Sequence, residues 1–187
     1  RVYRLVGKDK PLVKPVTQFG KSVPEILEQF REYEWRTRYR ARRELRDRPV
    51  EEVKSAINKW LAGLDPKAPE TDRLKCEALW VLQSHHEVDL ALLKDVLASK
   101  TPQARAAAVH ILTEERDRIP DALALLKTAT TDEHPRVVTE AVRGLSFYPT
   151  PEAMDAAGVD FQEAEFGKRL VLSTDRPAAA QLKEARD

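Results

Sequence analysis

The chain has 187 residues, 34% charged and 42% hydrophobic, with a formal net charge of +1. That suits one compact domain or a short repeat array, and no uncharged apolar run approaches the roughly 18 residues that a membrane-spanning helix needs. A single cysteine excludes a disulfide framework, a Cys-x-x-Cys zinc site and a Cys-x-x-Cys-His haem attachment.

Residues 1–21 read as an extended lead-in, because Val2–Val6 alternates like a short strand and Gly7, Pro11, Pro15 and Gly20 punctuate the stretch after it. From Ser22 the pattern turns helical. Ser22 with Pro24 and Glu25 is a helix-start signature, and Ile26, Leu27 and Phe30 supply the apolar stripe. A second helix is expected from about Trp35 to Leu45 and a third from Pro49, with Val53, Ile57, Trp60 and Leu61 on one face. Thr71-Asp72 opens a fourth, to about Gln83. Further helices are expected at 89–98, from Thr101-Pro102 to about Leu112, at 120–130 and at 135–147. Residues 158–187 lose this pattern and read as a C-terminal cap or a partly ordered extension.

Aligning the second helix of each pair on its last large apolar residue brings Leu45, Leu82, Leu112 and Leu145 into register, with alanine four residues earlier each time: Ala41, Ala78, Ala108 and Ala141. A small residue at a fixed place lets neighbouring helices approach closely. A two-helix unit cannot bury its stripe alone, so stacked units are required over 22–157.

Arg38-x-x-Ala41, Arg105-x-x-Ala108 and the turn Asp132-x-x-Pro135-Arg136-Val137 resemble HEAT repeats. The resemblance implies an all-α fold, a right-handed α-solenoid of about four HEAT-like helix pairs, with Arg38 and Arg105 in structural ladders to turn carboxylates. The ladder is incomplete, since Val138 stands at the arginine's place and Ser99 and Pro69 at the acid's. Arg1–Val6, the arginine-rich segment and Glu77–His86 further resemble a module found in large secreted bacterial proteins, between a sorbosone-dehydrogenase-like β-propeller and a c-type cytochrome domain. That implies a connector within a longer extracytoplasmic protein, and Arg1 reads as lying inside it.

The near-zero net charge conceals an asymmetry: residues 1–60 hold 16 basic and 9 acidic side chains, residues 61–187 hold 16 and 22. Seven arginines lie between Arg36 and Arg48. On the polar side of the second helices stand Arg36, Arg40, Arg43, Arg73, Glu77, Trp80, His110, Arg136, Glu140 and Arg143. Of these, Arg36, Arg40, Arg43, Arg73, Trp80, His110, Arg136 and Arg143 are the candidates for a partner surface on the concave side; the competing reading is a solvated or internally paired face. Trp35, Trp60 and Phe147 are expected to fill core or interhelix space, and Cys76 to be a buried, inert thiol. His85-His86 reads as a helix-end cap, because adjacent helical residues diverge by about 100° and cannot grip one metal. No catalytic constellation, metal site or cofactor motif emerges. The expectation is a non-catalytic scaffold that binds protein, without membrane insertion, with nucleic-acid binding through the arginines as the alternative.

Overall fold

The computed structural model describes residues 14–162 and 169–172. The expected strand at Val2–Val6 and most of the lead-in lie outside the described residues, as do 163–168 and 173–187 of the expected cap. The chain divides into two compact units, Arg1–Ala62 and Gly63–Asp187. The division falls between the two helices of the second expected pair.

The first unit holds α1 (Val23–Glu28), α2 (Trp35–Arg46) and α3 (Val50–Ala62), with a single 3-10 turn between α1 and α2. At the start of α1 the Glu25 carboxylate accepts from the Ser22 amide at 2.9 Å and the Ser22 hydroxyl at 2.8 Å. A hydrogen bond from Lys21, then those from Ser22, hold the Glu25 carboxyl down to about 2. Val23, Ile26, Leu27 and Phe30 are fully buried and α1 packs on α3, which contributes Val53, Ile57 and Trp60. The Trp60 indole meets Phe30 at 6.0 Å between ring centroids and donates to Glu28 at 2.8 Å, so its one polar atom is satisfied as it is buried.

The second unit holds α4 (Thr71–Ser84), α5 (Leu90–Leu97), α6 (Pro102–Glu114), α7 (Ala122–Ala129), α8 (Pro135–Leu145) and α9 (Pro151–Ala156). Asp89 caps α5 by accepting from the Leu92 amide at 2.9 Å, and prolines stand in the first turn of α6, α8 and α9, where no N–H is missed. Successive second helices stack: α6 packs on α4 and on α8, with α5 and α7 alongside. The four repeat alanines are fully buried, and Leu45, Leu82, Leu112 and Leu145 are buried as well. This is an all-helical, HEAT-like pattern of helix pairs. Helix α9 and a short antiparallel strand pair, β1 (Val159–Gln162) and β2 (Arg169–Leu172), come after the expected elements, with Val159 opposite Leu172 and Gln162 opposite Arg169.

A close helix approach is found at Gly144 in α8. A Cβ there would lie 2.5 Å from the Thr113 hydroxyl and 2.7 Å from a Leu126 methyl. The Thr113 hydroxyl is pinned by its bond to the Val109 carbonyl, 2.9 Å away in a fully buried site. Gly144→Ala gains about 1 kcal/mol of helix propensity but must overpack this contact, at a cost of about 1–3 kcal/mol. The expected result in urea unfolding is a net loss of about 1 kcal/mol. Adding Thr113→Ala, which removes the nearer atom, should recover part of it; equal stability of Gly144→Ala and the parent would contradict the close approach.

Candidate functional site

Helix α2 buries Thr37, Ala41 and Leu45, a narrow stripe along one side, and exposes most of the rest. At about 100° per residue, Trp35, Tyr39, Arg43, Arg36 and Arg40 fan across the opposite half. Trp35 is 59% exposed and Phe147 47% exposed, so neither fills the core as expected; of the three named aromatics only Trp60 does. The reason for Trp35 is angular: it sits about 120° from Ala41 around the helix, outside the buried stripe. Phe147 instead lies beneath the Arg116 guanidinium, 4.5 Å from its ring.

On α2 the Trp35 and Tyr39 rings are 6.4 Å apart, with Arg36 5.8 Å from the first and Arg43 6.0 Å from the second. Arg40 and Arg43 continue into a cleft of about 330 Å³ lined also by Thr17, Phe19, Glu44 and Asp47. Phe19 is 89% exposed. The other arginines of the run have internal work. Arg38 donates to the Glu32 and Tyr33 carbonyls at 2.8 and 2.7 Å, and Arg48 pairs with Glu44 at 2.7 Å.

In the second unit, His110 and Arg143 are tied to their neighbours. Arg143 reaches Glu140 at 3.1 Å, Glu114 at 3.4 Å and His110 Nδ1 at 2.8 Å. The same His110 Nδ1 stands 3.3 Å from the Glu140 carboxylate, so the ring sits between a guanidinium and a carboxylate. Arg136 is exposed at the start of α8, and Arg73 and Trp80 are half-buried. Glu77, expected on the polar side, is buried: the periodicity of one helix records its own stripe, not what covers its other side. Arg73, Cys76 and Trp80 form one wall of a second cleft, about 320 Å³, with Thr101, Gln103 and Ala107 opposite. Ala107 stands where the aligned helices carry Arg40, Glu77 and Glu140, and the missing side chain opens that space.

Arg105 is structural. It grips Asp132 through two bonds of 2.7 and 2.8 Å, reaches Glu133 at 3.3 Å and donates to the Ser99 carbonyl at 3.0 Å. Burial alone would raise the Asp132 carboxyl, but hydrogen bonds from Arg105 and the His134 amide outweigh it and leave it lowered. Where the acid's place holds Ser99, the polarity reverses. Ser99 and Thr101 donate to Asp72 on α4, and Lys75 pairs with Asp95 at 2.6 Å. Sequence spacing shows the gap in the ladder but not this replacement.

Cys76 is buried, and desolvation, then the nearby Glu77 and Asp72 charges, push its thiol up to about 12. Since the thiolate is the nucleophile, Ellman's reagent at about pH 8 should label the folded chain far more slowly than the urea-unfolded chain, by a factor on the order of 100 or more. Equal rates would contradict the burial. His85 is the C-cap residue of α4 and His86 comes next in the left-handed region with φ 58°, its carbonyl accepting from Arg118 at 2.6 Å.

A family model for HEAT repeats matches residues 90–157, which run from α5 to α9. No curated protein and no solved structure matches the chain. HEAT repeats commonly serve as scaffolds and interaction modules, and among the described residues no helix is long and apolar enough to cross a membrane.

Proposed function

We propose that this chain is a non-catalytic protein-interaction scaffold, a connector inside a larger extracytoplasmic redox protein, and that it docks its partners on the exposed faces of its second helices. The observation that carries this reading is the α2 surface, where three arginines and two aromatic rings stand in solvent on a helix anchored by a narrow apolar stripe. Arginine and large aromatics are the side chains most often found at the energetic centre of protein interfaces. In the second unit Arg143 is already engaged by Glu140, Glu114 and His110.

The test is calorimetric titration of the full 187-residue chain with the domains encoded on either side of it. Binding of either supports docking; absence of heat with both leaves a spacer and removes the docking role. The competing partner is a nucleic acid, since arginines interleaved with rings also suit a single strand. Binding of an oligonucleotide that falls steeply with salt would select that partner.

A further inference from the structure

We infer that the exposed half of α2 is a docking face for an acidic, amphipathic protein segment, whose carboxylates meet Arg36, Arg40 and Arg43 while an apolar side chain lies on Trp35 and Tyr39. The inference rests on the interaction-module reading and specifies its partner.

The geometry on α2 is regular. Arg36, Arg40 and Arg43 occupy positions i, i+4 and i+7, within about 60° of one another around the helix, at intervals of about 6 and 4.5 Å along its axis. A helical partner with carboxylates at the same spacing presents its charges at those same intervals. Trp35 and Tyr39 form a second row beside the first, at positions i and i+4, so an apolar stripe flanking the partner's carboxylates falls on the rings.

The three arginines are available. Among the described residues the Arg36 and Arg40 side chains make no hydrogen bond or ion pair, and the Arg43 side chain makes only its contact with the Tyr39 ring. Two of the guanidinium groups lie 5.8 and 6.0 Å from aromatic ring centroids, within the outer range of cation–π attraction, so charge and apolar surface stand side by side on this face.

The same surface disfavours a phosphodiester strand. Glu44 and Asp47 share the cleft with Arg40 and Arg43, and like charges there oppose a chain that bears an anion on every residue. A protein segment needs acids only opposite the arginines and can carry neutral or basic side chains opposite Asp47, while Glu44 is already paired with Arg48 at 2.7 Å. Three arginines also make a short electrostatic footprint for a nucleic acid, whose affinity grows with each phosphate neutralised.

The test uses the full chain and a fluorescein-labelled, helix-forming peptide with glutamates at i, i+4 and i+7 beside a leucine stripe. Its glutamine counterpart and an oligothymidylate of about 15 nucleotides serve as comparisons. Fluorescence anisotropy at about 50 mM and about 300 mM salt reads the affinities. The expected result is binding of the glutamate peptide at least about tenfold tighter than the glutamine one, weakening with salt. Combined Arg36→Glu, Arg40→Glu and Arg43→Glu should cost about tenfold or more, and Trp35→Ala with Tyr39→Ala about fivefold. These side chains are exposed, so the helical melting curve should stay unchanged. Equal binding of the two peptides, no binding of either, or tighter binding of the oligothymidylate overturns the proposal. If the flanking domains bind and the triple charge reversal leaves that binding intact, the interaction module stands and the α2 assignment fails.

Discussion

Replacing Asp132 by alanine should lower the unfolding free energy by about 3 kcal/mol, because it removes the bidentate partner of the Arg105 guanidinium at a site where little water can reach it. The two side chains are 11% and 14% exposed and share two hydrogen bonds of 2.7 and 2.8 Å. The Ser99 carbonyl at 3.0 Å and the exposed Glu133 carboxylate at 3.3 Å remain as partners for Arg105, but neither replaces the short bidentate pair with Asp132. Arg105→Lys should lose about half as much, since an ammonium keeps the charge and gives up the planar fork. Removing both partners should cost less than the sum of the single changes, and a double-mutant cycle reads that coupling. The pH dependence has a definite sign. The Asp132 carboxyl is lowered in the folded chain, so its stabilisation is present above the unfolded value near about 4 and is lost as pH falls through the lower folded value. Asp132→Asn should therefore flatten the stability profile below about pH 4. Identical acid profiles for the parent and Asp132→Asn would show that the pair does not carry the linkage.

The repeat is legible in the sequence because it is a packing constraint written in residue size. Ala41, Ala78, Ala108 and Ala141 are all fully buried, one at the same place in each second helix. Helix starts are legible for the same local reason, as at Ser22 and Asp89, where one side chain satisfies an otherwise unpaired amide. The start of α9 lies beyond the expected helices although Thr150-Pro151 repeats the Thr101-Pro102 signal: its Thr150 hydroxyl accepts from the Ala153 amide at 3.3 Å. Trp35 shows where size alone misleads. A large aromatic reads as core, while helical angle places it with the arginines. Burial of Glu77 and the Asp72–Ser99–Thr101 cluster depend on what lies across an interface, which no single helix encodes.

Leu112→Ala should be the most costly single truncation in the second unit, at about 3–4 kcal/mol. Leu112 is fully buried at the end of α6, and a buried leucine cut to alanine loses its transfer free energy and leaves a cavity. How far that cavity closes depends on how freely the surrounding helices can move inward. Helix α6 packs against α4, α5, α7 and α8, and it is tied to the last pair by the buried Arg105–Asp132 ion pair and by the close approach of the Thr113 side chain to Gly144. Collapse is thus restricted on several sides, which places the cost toward the upper part of the usual range. Leu90→Ala, at a position 38% exposed on α5, should cost less than about 1 kcal/mol and controls for the loss of a leucine as such. In urea the midpoint for Leu112→Ala should fall with the slope unchanged. A loss no larger than that of Leu90→Ala would mean that α6 repacks freely, and the rigid stacking of α4, α6 and α8 would have to be abandoned.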